Sequence, residues 1–535
     1  MRSGREYRDA LRDGRKIWML GAGAIDDVTT HPATKGMVES YAAWYDRHFD
    51  PAWADTLLTP PDSNGIRRPV AFEVPQTPDD LRRLGRAISA VSFMTAGNMT
   101  HTPGYGALIA LGLLDTLKAM GLSEREIANC AAYRDEISTT GRFLTFSAGG
   151  APIGFRFREN EEDRAAIKVV RETDAGLVIS GKVAMHTSSP FADDVFVSGG
   201  TKLKSDSETF TWFIIPVSAP GVRVITRKMA LRYGTSFGSP LSHQFDELDA
   251  QLWLENVHVP YERVFAAETP LGFGRVGKDG KQRNSNLAGW LFWHQHYGWL
   301  AKAEFTLGLA LAAADAMNQK ENRGVADQLL DMVIDVQTAR SCTIAAELEP
   351  DWSDGGFLLP GQIHVASASL YTLRARQRLT ETARRLPGSS LVVAPSDTDF
   401  GDEAMAKDLE DAFGGGGYSA RQRAALLNLI WDHVSSGLDG RESTYEMHAN
   451  GGVAAWRMRM AGLFKSYNQL ANGVLKTLDI EMPPVDVSSI AAPVMPRGAV
   501  PGQAPAPSGA PKPDTTQEIR AASQWLNAFP DKPRS

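Results

Sequence analysis

Between Arg171 and Phe265, short runs rich in Val, Ile, Thr and aromatic residues alternate with Gly, Pro and Asp. Runs of that kind suit a pleated, half-buried surface, and the residues between them turn the chain. The stretch therefore predicts a β unit of several short strands. On both sides apolar residues recur at helical spacing, as Leu81, Leu84, Ile88 and Val91 do. These patterns predict a small central β-barrel set between two helical regions, an α+β chain that is mostly α. The crevice where sheet meets helices commonly receives a flat cofactor.

The patterns divide the chain into a helical region over 1–144, the β unit over 145–270 and a helical bundle over 285–480. A Pro- and Ala-rich flexible tail with a short terminal helix takes up 483–535. Segments 287–318, 324–347, 361–386 and 420–436 are each long enough for a bundle helix. Gly21-Ala-Gly23 imitates a dinucleotide-binding turn, but Pro32 interrupts where a helix should open, so a strand and turn is expected there. Asn98–Tyr105 reads as a polar loop between two helical segments, a place where chemistry tends to sit. Ser123-Glu-Arg-Glu126 is a capping box that opens another helix.

A net charge of -7 argues against nucleic acid or an anionic membrane as partner. No apolar run approaches the roughly 18 residues of a membrane span, and the first residues are charged where a signal peptide would be apolar. A soluble, cytoplasmic enzyme is the expectation. The two cysteines, Cys130 and Cys342, cannot build a disulfide scaffold, a four-cysteine zinc site or a cysteine-ligated cluster. His294 and His296 stand at i and i+2, which do not share a helix face, so no metal is expected there.

Four stretches, in order, resemble the 4-hydroxyphenylacetate 3-hydroxylase family, the oxygenase components of two-component flavin-dependent monooxygenases. They are Gly4–Arg15 with Asp27–Pro32; Pro240-Leu-Ser242, Phe245–Asp249 and Glu255–Pro260; His294-Gln295 with Lys302–Gly308; and Trp431-Asp432 with Gly440–Glu446 and Asn450–Gly452. The resemblance implies an acyl-CoA-dehydrogenase-like architecture, with an N-terminal helical domain, a central β-barrel and a C-terminal four-helix bundle. It also implies a homotetramer or homodimer, a separate flavin reductase that supplies reduced FAD, and O₂ captured as a C4a-hydroperoxide that oxygenates an aromatic ring.

By the same resemblance, Phe146, Ser147, Ala148, Thr187, Ala449, Asn450, Gly451 and Gly452 contact the flavin. Met99-Thr-His101-Thr-Pro-Gly-Tyr105 matches a family run in which Tyr105 is kept and an arginine has become His101. A family histidine falls on Phe146. His101, Tyr105 and His294 are the candidate catalytic groups, and His101, Tyr105, Phe146, Ser188 and Ser189 would line the substrate side. An imidazole can donate to a substrate or take its proton, and Phe146 makes the pocket more apolar. The substitutions point away from 4-hydroxyphenylacetate, toward another aromatic or an N-heterocycle. Two other readings stay open at this level, a non-oxygenating acyl-CoA dehydrogenase or dehydratase relative and a catalytically silent flavin-binding subunit.

Overall fold

The computed structural model describes residues 1–146, 150–204, 207–229, 231–269 and 286–448, with parts of 452–484. Ser3 and Glu6 form the capping box that starts α1 (Gly4–Ala10). Strands β1 (Ile17–Met19) and β2 (Gly23–Ile25) follow as an antiparallel pair, with Gly21 and Gly23 at positive φ in the turn. These glycines therefore shape a hairpin, as Pro32 foretold. Next come α2 (Lys35–Asp46), the short α3 (Ala54–Leu57), α4 (Pro78–Met94), α5 (Pro103–Met120) and α6 (Glu124–Thr140). Thr77 with Asp80, and Ser123 with Glu126, close capping boxes on α4 and α6.

The β unit contributes β3 (Leu144–Phe146), β4 (Ile167–Thr173), β5 (Gly176–Ala184), β6 (Asp194–Lys204), β7 (Ser207–Pro216) and β8 (Val222–Thr226). After the short α7 (Ser242–Phe245) come β9 (Ala250–Pro260) and β10 (Val264–Thr269). They form two sheets, β2-β1-β8-β9-β5-β4 and β10-β7-β6-β3. Among the described residues the β unit expected as a central barrel consists of these two sheets. Strands β2 and β3, each at the edge of its sheet, have 3 residues. Val195, Val197, Phe213 and Ile215 pack toward Leu177, Ile179, Leu252 and Val257, and Tyr7, Ile17, Tyr41 and Tyr45 join the same core.

The bundle consists of α8 (Asn286–Ala316), α9 (Arg323–Leu348), α10 (Gln362–Arg385), α11 (Glu403–Phe413), α12 (Ala420–Val434) and α13 (Gly437–His448). A hairpin of β11 (Asp351–Trp352) and β12 (Leu358–Leu359) separates α9 from α10. The four bundle segments read from periodicity correspond to α8, α9, α10 and α12 within a few residues. Helix α8 is apolar on nearly every side along its first half, Trp290–Ala303, and is buried accordingly. It packs on α4 and α9 through Trp293 and Tyr297, and on α5 through Leu287 and Leu291. Any polar side chain on that half is therefore held inside the protein. No helix among the described residues is long and apolar enough to cross a membrane.

Candidate active site

Thr102 accepts a hydrogen bond from the Tyr105 backbone N–H and caps α5, with Pro103 in the first turn. The expected polar loop therefore ends at Thr102, and Tyr105 lies on the helix. Thr-Pro is itself a helix-start signal, because proline has no N–H to leave unpaired at that position. His101, the residue before this cap, is buried.

His101 is seated on Glu247. Glu247 Oε1 accepts the His101 backbone N–H at 2.6 Å, and Oε2 lies 3.0 Å from His101 Nδ1. The Thr100 hydroxyl donates to the same Oε2 at 3.1 Å. On the other side of the imidazole, Nε2 is 3.3 Å from the Tyr445 hydroxyl. Gln295 Nε2 donates to both Tyr105, at 3.1 Å, and Tyr445, at 3.0 Å. The Tyr105 ring also stands edge-on to His101 at 5.0 Å and tilted to His294 at 4.9 Å. Burial, aided by His101, pushes His294 down to about 3, so its ring is neutral. Burial and the nearby Glu247 carboxylate push the Tyr105 phenol up. The three candidate catalytic groups are thus drawn together by Gln295 on α8 and Tyr445 on α13.

The second half of the site is built on the turn after β5. Met185 and Ser188 have φ of 66 and 64, and Leu248 on the facing segment has 49. Such backbone is strained for residues other than glycine, and strain of this kind gathers at functional sites. Thr187 donates its hydroxyl to Asp249 Oδ1 at 2.9 Å, and its carbonyl accepts from the Thr145 hydroxyl at 2.7 Å. Arg441 grips Asp249 through two bonds of 2.7 Å, and Arg227 adds a third at 3.0 Å. Burial alone would raise the Asp249 carboxyl, but the two guanidiniums hold it well below the usual carboxylate range. Arg441 also pairs with Glu442, and Lys302 reaches Glu442 at 2.6 Å and Glu446 at 2.8 Å.

Ser188 shares a 2.8 Å hydrogen bond with Tyr41, and Ser189 donates to the His186 carbonyl at 2.7 Å. Phe146 stacks on Phe196 at 5.5 Å. Gly452 has a φ of 65, and a Cβ there would stand 3.0 Å from the Met447 carbonyl oxygen. Ser147, Ala148, Ala449, Asn450 and Gly451 lie outside the described residues.

Models of the N-terminal and C-terminal parts of 4-hydroxyphenylacetate 3-hydroxylase match residues 3–266 and 285–476. The chain belongs to the 4-hydroxyphenylacetate 3-hydroxylase family. Family relatives include the 4-hydroxyphenylacetate 3-monooxygenase oxygenase component of Pseudomonas aeruginosa, 30% identical over 85% of this chain and 88% of its own length. Its counterpart in Thermus thermophilus is 27% identical over 83% of this chain and 91% of its own. The oxygenase component of a 4-nitrophenol 4-monooxygenase/4-nitrocatechol 2-monooxygenase from Rhodococcus opacus is 28% identical, covering 83% and 85%. A crystal structure of the family's oxygenase component complexed with FAD and 4-hydroxyphenylacetate superposes with a TM-score of 0.78, at 25% identity, covering 89% of this chain and 99% of that one. The family fold, with helices before and after a β unit, is the architecture expected from the sequence.

Glu247, Asp249, Gln295 and Tyr445 were not picked out as site residues from the sequence. The run Asp246-Glu-Leu-Asp249 carried a signal, three acids just ahead of a buried strand. Gln295 carried another, an amide between two histidines in a largely apolar helix.

Proposed function

We propose that this chain is the oxygenase component of a two-component flavin-dependent monooxygenase acting on an aromatic or heteroaromatic small molecule. It is an enzyme that uses FAD in reduced form, with a separate reductase as the source and O₂ as co-substrate. The observation that carries the reading is the commitment of Thr187. Its hydroxyl hydrogen is given to Asp249, so the oxygen is left as an acceptor, and its backbone N–H takes no backbone partner among the described residues. An acceptor beside a donor fits the edge of a reduced flavin, whose N5 bears a hydrogen. Phe146 and Gly452, with Ser147, Ala148, Ala449, Asn450 and Gly451, would complete the cofactor contacts, the left-handed Gly452 letting the main chain come close. When bound, reduced FAD activates O₂ for transfer to a ring carbon.

The chain's own residues do the rest. The site is walled by α5, α8 and the β5 turn, which exclude water. His101, with Nδ1 held by Glu247 and Nε2 facing the Tyr445 hydroxyl, orders the polar end of the site. Tyr105 donates to the substrate, and His294, neutral beside it, keeps that side free of charge. Ser188 and Ser189 follow Thr187 and shape the same wall. Leu311, Leu330 and Ile334 stand exposed on α8 and α9, an apolar face that suits a second copy in a homodimer or homotetramer.

The test supplies the purified chain with FAD, a flavin reductase, NADH and air, against phenols and N-heterocycles including 4-hydroxyphenylacetate. We expect FAD binding, read by fluorescence, and a product that has gained one oxygen atom. Thr187→Ala is expected to weaken reduced-FAD binding by about tenfold, the worth of roughly one hydrogen bond. Absence of FAD binding would overturn the reading. Rapid conversion of 4-hydroxyphenylacetate would overturn only the altered substrate.

A further inference from the structure

The hydrogen bonds around His101 run in one direction, and Glu247 fixes it. A carboxylate only accepts, and this one already takes the His101 backbone N–H and the Thr100 hydroxyl. His101 Nδ1 lies 3.0 Å from Glu247 Oε2 and 3.2 Å from Thr100 Oγ1, so it must carry the proton. With the proton on Nδ1, Nε2 is placed to accept, and the Tyr445 O–H stands 3.3 Å from it. The Tyr445 oxygen in turn receives one N–H of Gln295, and the Tyr105 oxygen receives the other. Every step follows from the bonds that Glu247 accepts.

The chain of donors leaves two open ends. With both N–H groups committed, Gln295 Oε1 is buried and has no partner among the described residues. The Tyr105 hydrogen is also uncommitted there, since its oxygen accepts the one bond it makes. A buried acceptor without a partner costs roughly 1–3 kcal/mol, which a ligand donor would relieve. Arg441, whose guanidinium lies 4.8 Å from the Tyr445 ring centre, is committed to Asp249 and Glu442. His294 is neutral, and its Nδ1 too has no partner among the described residues. A phenolate, which only accepts, would meet no uncommitted cation among these groups.

We propose that Glu247 orients this network so that the Tyr105 O–H and Gln295 Oε1 stand as an adjacent donor and acceptor. The substrate is accordingly a neutral ring whose edge accepts and donates at once. The C=O/N–H edge of a pyridone-type heterocycle does so with two atoms, and an un-ionised phenol does so with one. Glu247 is a positioning residue, acting through His101 and Tyr445 on the two groups that touch the ring. The inference rests on the substrate-side reading of this cluster and deepens it.

Binding is measured by calorimetry on the full chain, with and without FAD, for two pairs of probes. The first pair is 2-pyridone and N-methyl-2-pyridone, and the second is phenol and anisole; in each pair methylation removes the donor. We expect one pair to be discriminated by about tenfold or more, the worth of a hydrogen bond to a buried acceptor, and the pair that is discriminated identifies the ring. Gln295→Leu should bring that ratio to within about twofold. Glu247→Gln, which lets the network reverse, should do the same, while Glu247→Asp should keep it. In a histidine-labelled ¹H–¹⁵N spectrum, His101 should carry its proton on Nδ1 in the unsubstituted chain and lose that preference in Glu247→Gln. Equal binding within both pairs, binding of none of the four probes, or a ratio unchanged in Glu247→Gln overturns the proposal. Because the probes are also read on the FAD-free chain, a failure of flavin binding counts separately, against the proposed function.

Discussion

Asp249 is reached by three side chains from three parts of the chain, and only the fold explains why it can be buried. Thr187, Arg227 and Arg441 all bond to it, so its charge is matched on every side that the fold closes off. Replacing Arg441 by Met should therefore destabilise the protein by about 3–5 kcal/mol, because two buried carboxylates lose their shared partner. Urea unfolding measures this, and Arg441→Lys should recover little, since an ammonium cannot make the paired bonds. At this scale the sequence was legible only in part. His101 and Tyr105 could be read from a short run of neighbours, because their spacing is local. Glu247 could not, because it lies 146 positions from His101 in the chain, and nothing in the local pattern says which buried group will need a carboxylate.

Among the elements, α5 depends most on close approach. A Cβ on Gly106 would stand 2.4 Å from the Leu144 carbonyl oxygen, so the helix touches β3 through bare backbone. Gly106→Ala must lift α5 away from that strand. We expect a loss of about 1–3 kcal/mol, the usual cost of overpacking, seen as a lower thermal midpoint. Because Tyr105 is the preceding residue, the same variant should also weaken ring binding, whereas Gly440→Ala, with nothing within 4 Å of the added Cβ, should do neither. The bundle helices were legible to within a few residues because their periodicity is carried by many side chains at once. The start of α5 was misplaced because Asn98–Tyr105 is polar by composition, although Thr102-Pro103 held the capping information. The strand order was illegible for a different reason. Which strands lie at an edge is settled by pairing across the chain, as when β1 joins β8 in parallel, and no local alternation encodes that.

Across the whole molecule, the β unit and the bundle are tied by buried charges. From Arg227 the contacts run through Asp249, Arg441 and Glu442 to Lys302, and on through Glu446 to Arg376. Burial alone would raise Glu442, but Arg441 and Lys302 bring it from its usual 4.5 down to about 2. A carboxyl whose folded value lies below its unfolded one stabilises fully above the unfolded value, and that stabilisation is lost as pH falls toward the folded one. The window here is from 4.5 down to about 2, and Asp249 acts in the same sense. At roughly 1.4 kcal/mol for each unit, Glu442 accounts for about 3 kcal/mol in all, of which about 2 kcal/mol falls between about pH 5 and pH 3. Urea unfolding of the whole chain should therefore show stability dropping steeply over that interval. Glu442→Gln should be less stable at neutral pH, where it leaves Lys302 and Arg441 short of a partner, and should show a shallower acid limb by about 2 kcal/mol. A Glu442→Gln protein whose acid limb is as steep as the unsubstituted one would mean that this carboxyl is not held down by the cations around it, and that the link between the two halves rests on packing alone.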